Sequence, residues 1–290
     1  MQQPKVTISI ILNLLGVGSY ITASGINYES LAIFCLVWGM GGAFISLLLS
    51  KVLAKWMMGV QIVEANGPYS WLVQTVHAHA RRAGLSSMPE VGVYDSPEMN
   101  AFATGPTKSS ALVAVSTGLI NSMNRDEVEG VIGHEVAHVA NGDMVTMTII
   151  QGIINASVMF FARIAAYAVE QALRKDDDEE RGGLSSLLHM FLVIIFEIVF
   201  GIAGMIIVAY FSRKREFVAD ADSAKIGGRE KMIAALEALQ RNYENMTTDN
   251  GGMSTLKISN KGSWLALFST HPPLEDRIEA LKRGYQHSYK

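Results

Sequence analysis

The run His134-Glu135-Val136-Ala137-His138 carries the most specific chemistry in the chain. On a helix, side chains four apart share a face. Both imidazoles then reach one ion, while Glu135 points to the side where a water on that ion would stand. Catalytic zinc takes three protein ligands and keeps one position open. The single cysteine, Cys35, lies in an apolar run, so a sulfur site and an intramolecular disulfide are both excluded. The third ligand must be His or carboxylate. The pattern H-E-x-x-H-x-x-G-x-x-H fails, because Asn141 and Met144 stand where Gly and His are needed. The best remaining choice is Glu216, in Arg215-Glu216-Phe217-Val218-Ala219-Asp220. One turn on, Asp220 can accept a hydrogen bond from a ligating imidazole and fix its orientation.

These parts imply hydrolysis of a peptide bond. Zinc lowers the pKa of its water to roughly 7. Glu135 takes the proton as the water attacks the carbonyl, then passes it to the leaving amine. A further donor should stabilise the oxyanion. His271 and Arg277, in Thr270-His271-Pro272-Pro273-Leu274-Glu275-Asp276-Arg277, are the candidates; the alternative is a loop His and a surface Arg. Asn100 is a candidate substrate contact or a plain turn residue.

Several elements must position these groups. Asn124 with Glu127 three residues on reads as a capping box opening the zinc helix. Val128, Val131, Ile132, Val136 and Val139 give that helix an apolar face, and Asn141-Gly142 reads as its stop. Pro273 suits the first turn of a helix reaching Leu281. Val91–Tyr94 and Ala111–Val115 read as strands, with Asn100–Gly105 between them. An exposed strand edge beside the zinc would pair with an extended peptide.

Composition places the chain in lipid. Of its 290 residues, 49% are hydrophobic and 18% charged, with a positive mean hydropathy of +0.23. Net charge is −3 without a broad basic patch, which argues against nucleic acid. A span needs roughly 20 apolar residues. Four segments qualify: Val6–Ala23, Leu31–Ser50 with Gly39, Gly41 and Gly42 for close packing, Met144–Val169 with Arg163, and Leu187–Phe211 with Glu197. The second follows the first directly, so an uncleaved hairpin is expected rather than a signal peptide. The charged stretch 174–183 separates the last two.

The expected domains are a transmembrane hairpin at 1–50, a first protease part at 51–143, a central hairpin at 144–211 and a second protease part at 212–290. Lys5, Lys51, Lys55 and Arg213-Lys214-Arg215 flank the span ends, which puts both termini and the protease parts in the cytoplasm. Two crossings separate His138 from Glu216, so both ligand helices meet at one membrane face. By depth, Arg163 and Glu197 lie about 6 Å apart. They either neutralise each other or leave Arg163 snorkelling and Glu197 protonated.

Other residues carry less. His77 and His79 face apart on a helix, and His189 and His287 have no evident partner. The methionines read as packing. A zinc transporter would place its ligands inside the spans, whereas these flank them. A dead scaffold would be expected to lose Glu135, which is present.

Five stretches carry a resemblance: N-A-F-A-T-G at 100–105, L-V-A-V-S-T-G-L at 112–119, H-E-V-A-H-V-A-N-G-D-M-V-T-M-T at 134–148, R-E-F-V-A-D-A at 215–221 and T-H-P-P-L-E-D-R-I-E-A-L at 270–281. The chain resembles the HtpX family of bacterial heat-shock membrane metalloproteases, related to the CAAX prenyl proteases. The resemblance implies a mainly α-helical, zincin-like membrane fold with a small β-sheet and four transmembrane helices. It implies a zinc-dependent endopeptidase of the bacterial inner membrane with its site toward the cytoplasm, acting on misfolded membrane proteins. It also implies Glu216 as third ligand and supports His271 and Arg277 as active-site residues.

Overall fold

The computed structural model describes residues 21–22, 25–173, 182–249 and 267–284. The expected first span lies outside these residues apart from Ile21 and Thr22, and so does the stretch 174–183 apart from its last two residues. In chain order the elements are β1 (Ile21–Thr22), β2 (Gly25–Ile26), α1 (Tyr28–Met57), β3 (Gln61–Ile62), α2 (Ser70–Arg82), β4 (Glu90–Tyr94), β5 (Ala101–Thr104), β6 (Leu112–Ser116), α3 (Thr117–Ser122), α4 (Arg125–Asn141), α5 (Asp143–Leu173), α6 (Gly182–Ile226), α7 (Arg229–Asp249) and α8 (Leu274–Lys282). They divide into two units: Met1–Ile45 with Ile149–Ile207, and Ser46–Thr148 with Val208–Lys290.

The first unit is apolar and helical. Among the described residues, three helices are long and apolar enough to cross a membrane: Tyr28–Met57, Asp143–Leu173 and Leu187–Ile226, with mean hydropathy 2.2, 1.7 and 2.8. The 40 residues of the third would run about 60 Å, twice a hydrocarbon core. Its apolar part ends at Phe211, before Arg213-Lys214-Arg215, Glu216 and Asp220.

Leu31, Cys35 and Ala156 bury a seam between α1 and α5. Gly39 brings the backbones together, since a Cβ there would lie 2.5 Å from the Ala156 nitrogen. Gly41 and Gly42, also expected to serve close packing, meet nothing within 4 Å among the described residues. Arg163 Nη1 donates to Glu197 Oε1 at 2.8 Å and to the Met159 carbonyl at 3.0 Å. His189, without an evident partner in the sequence, has its Nδ1 3.1 Å from Glu170 Oε2.

The second unit packs helices against a four-stranded sheet of order β3-β4-β6-β5. β4 and β6 are parallel, and the two outer strands are antiparallel to their neighbours. β4 and β6 follow the expected strands closely. β5 falls where the sequence suggests only a connection. Four residues long, with two alanines among them, it gives a weak strand signal on its own, and pairing of Ala101–Thr104 with Leu112–Val115 makes it a strand.

The core joins Leu72 and Val76 of α2, Val113 and Val115 of β6, Ile132 and Val136 of α4, and Ala235 of α7. α4 lies at its centre. Gly130 lets α4 reach α7, because a Cβ there would sit 2.3 Å from the Lys231 carbonyl oxygen. His79 is buried beside α4, its Nε2 3.1 Å from the Glu129 carbonyl. His77 Nε2 instead lies 3.1 Å from the Pro89 carbonyl, so the two do not share a site.

Candidate active site

Both ends of α4 are fixed. Asn124 Oδ1 accepts from the Glu127 nitrogen at 3.1 Å, and Glu127 Oε2 accepts from the Asn124 nitrogen at 2.9 Å. At the other end Gly142 takes φ 72°, a left-handed cap that glycine adopts without strain. The chain then restarts at once as α5 with Asp143. Between these ends, His134 and His138 stand one turn apart with their Nε2 atoms 3.0 Å from each other.

Glu216 of α6 closes the group. Its Oε2 lies 3.5 Å from His134 Nε2 and its Oε1 3.4 Å from His138 Nε2. One ligand atom from each of the three residues falls within 4.8 Å of the others, and no other such group occurs among the described residues.

The outer ring nitrogens decide what this centre can hold. His134 Nδ1 is 2.9 Å from Asp220 Oδ1, and His138 Nδ1 is 2.6 Å from Asp143 Oδ2. An imidazole that donates Nδ1–H to a carboxylate presents a lone pair at Nε2. With both rings neutral, as metal binding requires, two lone pairs and a carboxylate oxygen converge on one point. Glu216 Oε2 is itself buried and, despite nearby nitrogens, makes no well-directed hydrogen bond. The donor set N, N, O without sulfur fits a borderline divalent cation.

The charges around the point are strongly coupled. Burial and His138 push the His134 imidazole down, but the Asp220 and Glu216 carboxylates outweigh them and hold it above its ordinary value. Burial opposes a charge on His138 as well, yet Asp143 and Glu216 raise it to about 10. Glu216 is held far below the usual carboxylate range: burial would raise it, and the neighbouring His134, His138 and His271 prevail. Burial raises Glu135. The charges of His134 and His138 and the Ala103 backbone of edge strand β5 oppose this, and Glu216 adds to it.

The remaining expected residues are placed as follows. Arg277, on α8 and 6% exposed, grips Asp220 with a fork, Nε to Oδ2 at 2.8 Å and Nη2 to Oδ1 at 2.6 Å. Its Nη1 is 3.2 Å from Glu216 Oε2, so its planar group faces carboxylates. His271 Nδ1 lies 3.0 Å from the same oxygen while its side chain is 67% exposed. Asn100 is exposed before β5, with its backbone bonded to Ser116 on both sides: its N–H reaches Oγ at 3.1 Å, and its carbonyl accepts from the Ser116 nitrogen at 2.9 Å.

Three contributors escape a sequence reading. Asp143 follows the helix stop directly, and only the Gly142 turn swings it under His138. Arg213 and Arg215 read as flanking charges for a span. In the structure Arg213 Nη1 donates to the carbonyls of Leu267 at 3.1 Å and Ser269 at 2.7 Å, holding the loop of His271. Arg215 pairs with Asp143. An Asp five residues after the second His was the available signal.

A profile described as Peptidase family M48 matches residues 68–284, more than half of the chain. The chain belongs to peptidase family M48. Similar proteins include "Protease HtpX" of Aeromonas hydrophila subsp. hydrophila, 50% identical over 280 residues that cover 95% of this chain and 94% of the relative. They also include "Protease HtpX homolog" of Bacillus licheniformis, 48% identical over 283 residues covering 96% and 93%. Among solved structures, that of S. mikatae Ste24p superposes with a TM-score of 0.60 at 18% identity, covering 96% of this chain and 62% of that one. That likeness shows a shared fold. As a member of family M48 the chain is a membrane metallopeptidase, a hydrolase of polypeptides that works with a metal.

Proposed function

We propose that the chain is a zinc-dependent endopeptidase of the bacterial inner membrane that cuts misfolded or damaged membrane proteins at its cytoplasmic face. His134, His138 and Glu216 hold one zinc. The observation that carries this reading is the convergence of two imidazole lone pairs and a buried carboxylate oxygen on one point, with Glu135 beside it.

When bound, the metal polarises the scissile carbonyl and makes its water acidic enough to lose a proton near neutral pH. Glu135 accepts that proton at its carboxylate and delivers it to the leaving amine. Burial raises its pKa. His271, 67% exposed beside Glu216, is the side chain placed to offer a ring N–H to the oxyanion when it turns from Glu216. Arg277 works through the carboxylates it grips, keeping Asp220 and Glu216 in place. The substrate lies extended along β5, an outer strand of the sheet, with Asn100 at its start.

The test compares purified wild type with Glu135→Gln in detergent, with zinc, on an unfolded protein substrate. Cleavage by the wild type, reduced in the variant by about 10²-fold or more with zinc content unchanged, is expected. Equal cleavage by both would remove Glu135 from the reaction.

A further inference from the structure

Each proposed ligand imidazole heads a chain of the same kind. His134 leans on Asp220, and Asp220 is gripped by Arg277. His138 leans on Asp143, and Asp143 is paired with Arg215. The first chain is made by three separate helices, α4, α6 and α8. The second uses the residue that opens α5 and the residue just before Glu216. Neighbours on a helix point about 100° apart, so α6 presents Glu216 to the imidazoles and Arg215 to Asp143 from adjacent positions.

We infer that Arg215, acting through Asp143, is a positioning residue for His138, and that this pair sets how tightly the site holds its cation. The inference rests on the reading of His134, His138 and Glu216 as metal ligands. Asp143 is 5% exposed, and one of its oxygens faces His138 Nδ1 at 2.6 Å. Its other oxygen is buried, and Arg215 is its ion-pair partner. A buried carboxylate oxygen without a partner is costly. Removing the guanidinium would turn the Asp143 carboxylate away. That change frees the His138 ring to rotate away from the point where the three side chains meet.

The competing account gives Arg215 only the juxtamembrane role of the basic run 213–215. The side chains separate the three residues. Arg213 binds backbone carbonyls. Lys214 is exposed, 4.7 Å from the Tyr210 ring centroid. Only Arg215 touches a carboxylate bonded to a ligand. A purely topological charge would make the two exposed-side neighbours equivalent to it.

The experiment uses the full chain purified in detergent. Zinc affinity is measured by competition with a chromogenic chelator, and the cobalt-substituted protein is examined for its visible absorption bands. Arg215→Ala should weaken zinc by about 10- to 100-fold and shift the cobalt bands, Arg215→Lys should restore part of the affinity, and Lys214→Ala should leave both readouts unchanged. Should Arg215→Ala fail to fold, Arg215→Gln serves the same comparison. Zinc affinity within about threefold of wild type with unchanged cobalt bands, far short of that loss, would overturn the inference, as would an equal loss in Lys214→Ala. The underlying reading fails separately, if the wild type binds no zinc or if His138→Ala binds it as tightly.

Discussion

At the scale of single residues, the site combines groups that are costly to bury alone. Arg277 at 6% exposure faces Asp220 at 2% and Glu216 at 5%. Deleting one member of a buried ion cluster leaves the others uncompensated, at a cost of about 3–5 kcal/mol. Arg277→Ala should therefore lower the melting temperature in detergent as well as activity. Arg277→Lys should recover little, because a lysine cannot make the two-pronged contact with Asp220. A wild-type melting temperature in Arg277→Ala would show that the fork adds nothing. The pairing of His134 with His138 was legible in sequence because spacing on a helix is local geometry. Arg277 was singled out for an oxyanion, and the distances instead turn it to carboxylates, since its partners come from a helix about 57 residues away in sequence. Asp143 offered only its spacing from His138 as a signal, because its role depends on a left-handed turn at Gly142.

Elements hold these residues in place, and α4 is packed on every side. Gly130→Ala would drive a Cβ to 2.3 Å from the Lys231 carbonyl and 2.9 Å from the Ala235 side chain. The helices α4 and α7 would have to separate, with an expected loss of about 1–3 kcal/mol, read as a lower melting temperature; an unchanged one would contradict this packing. The caps of α4 were readable from Asn124, Glu127 and Gly142. The contact that needs Gly130 was not, because it depends on how a helix about 100 residues later crosses it. His79 gives the same region a pH dependence. Burial holds its pKa below the ordinary value, with Arg82 and Lys231 adding to this and Glu129 with its carbonyl opposing. The unfolded chain takes up that proton at about 6.5, so the folded state has its full stability above that pH and loses some as pH falls below it. His79→Gln should flatten this acid limb in urea melts, and an unchanged slope would remove His79 as its source.

On the scale of the whole molecule, the described residues contain three helices fit to cross a membrane, and two of them carry the ion pair Arg163–Glu197. Counting residues from the intervening charged stretch was enough to place the two at similar depth, because rise per residue is fixed in a helix. Contact itself was not readable, since helix rotation depends on neighbours such as Gly39 and Ala156. An uncompensated charge inside a membrane costs about 2.5–3.5 kcal/mol on insertion scales. Arg163→Glu should therefore lower stability in detergent, and the double exchange Arg163→Glu with Glu197→Arg should restore much of it. A double variant as unstable as the single one would mean that the pair is not what matters at these positions.

The central claim is that two imidazoles and one carboxylate of this chain hold zinc. X-ray absorption at the zinc edge of the purified protein tests it most directly. The account predicts one zinc per chain with nitrogen and oxygen neighbours at roughly 2.0–2.1 Å, the multiple scattering of two imidazoles, no sulfur, and loss of retained zinc in Glu216→Ala. A sulfur neighbour, a shell of oxygens alone, or the same spectrum from Glu216→Ala would contradict it.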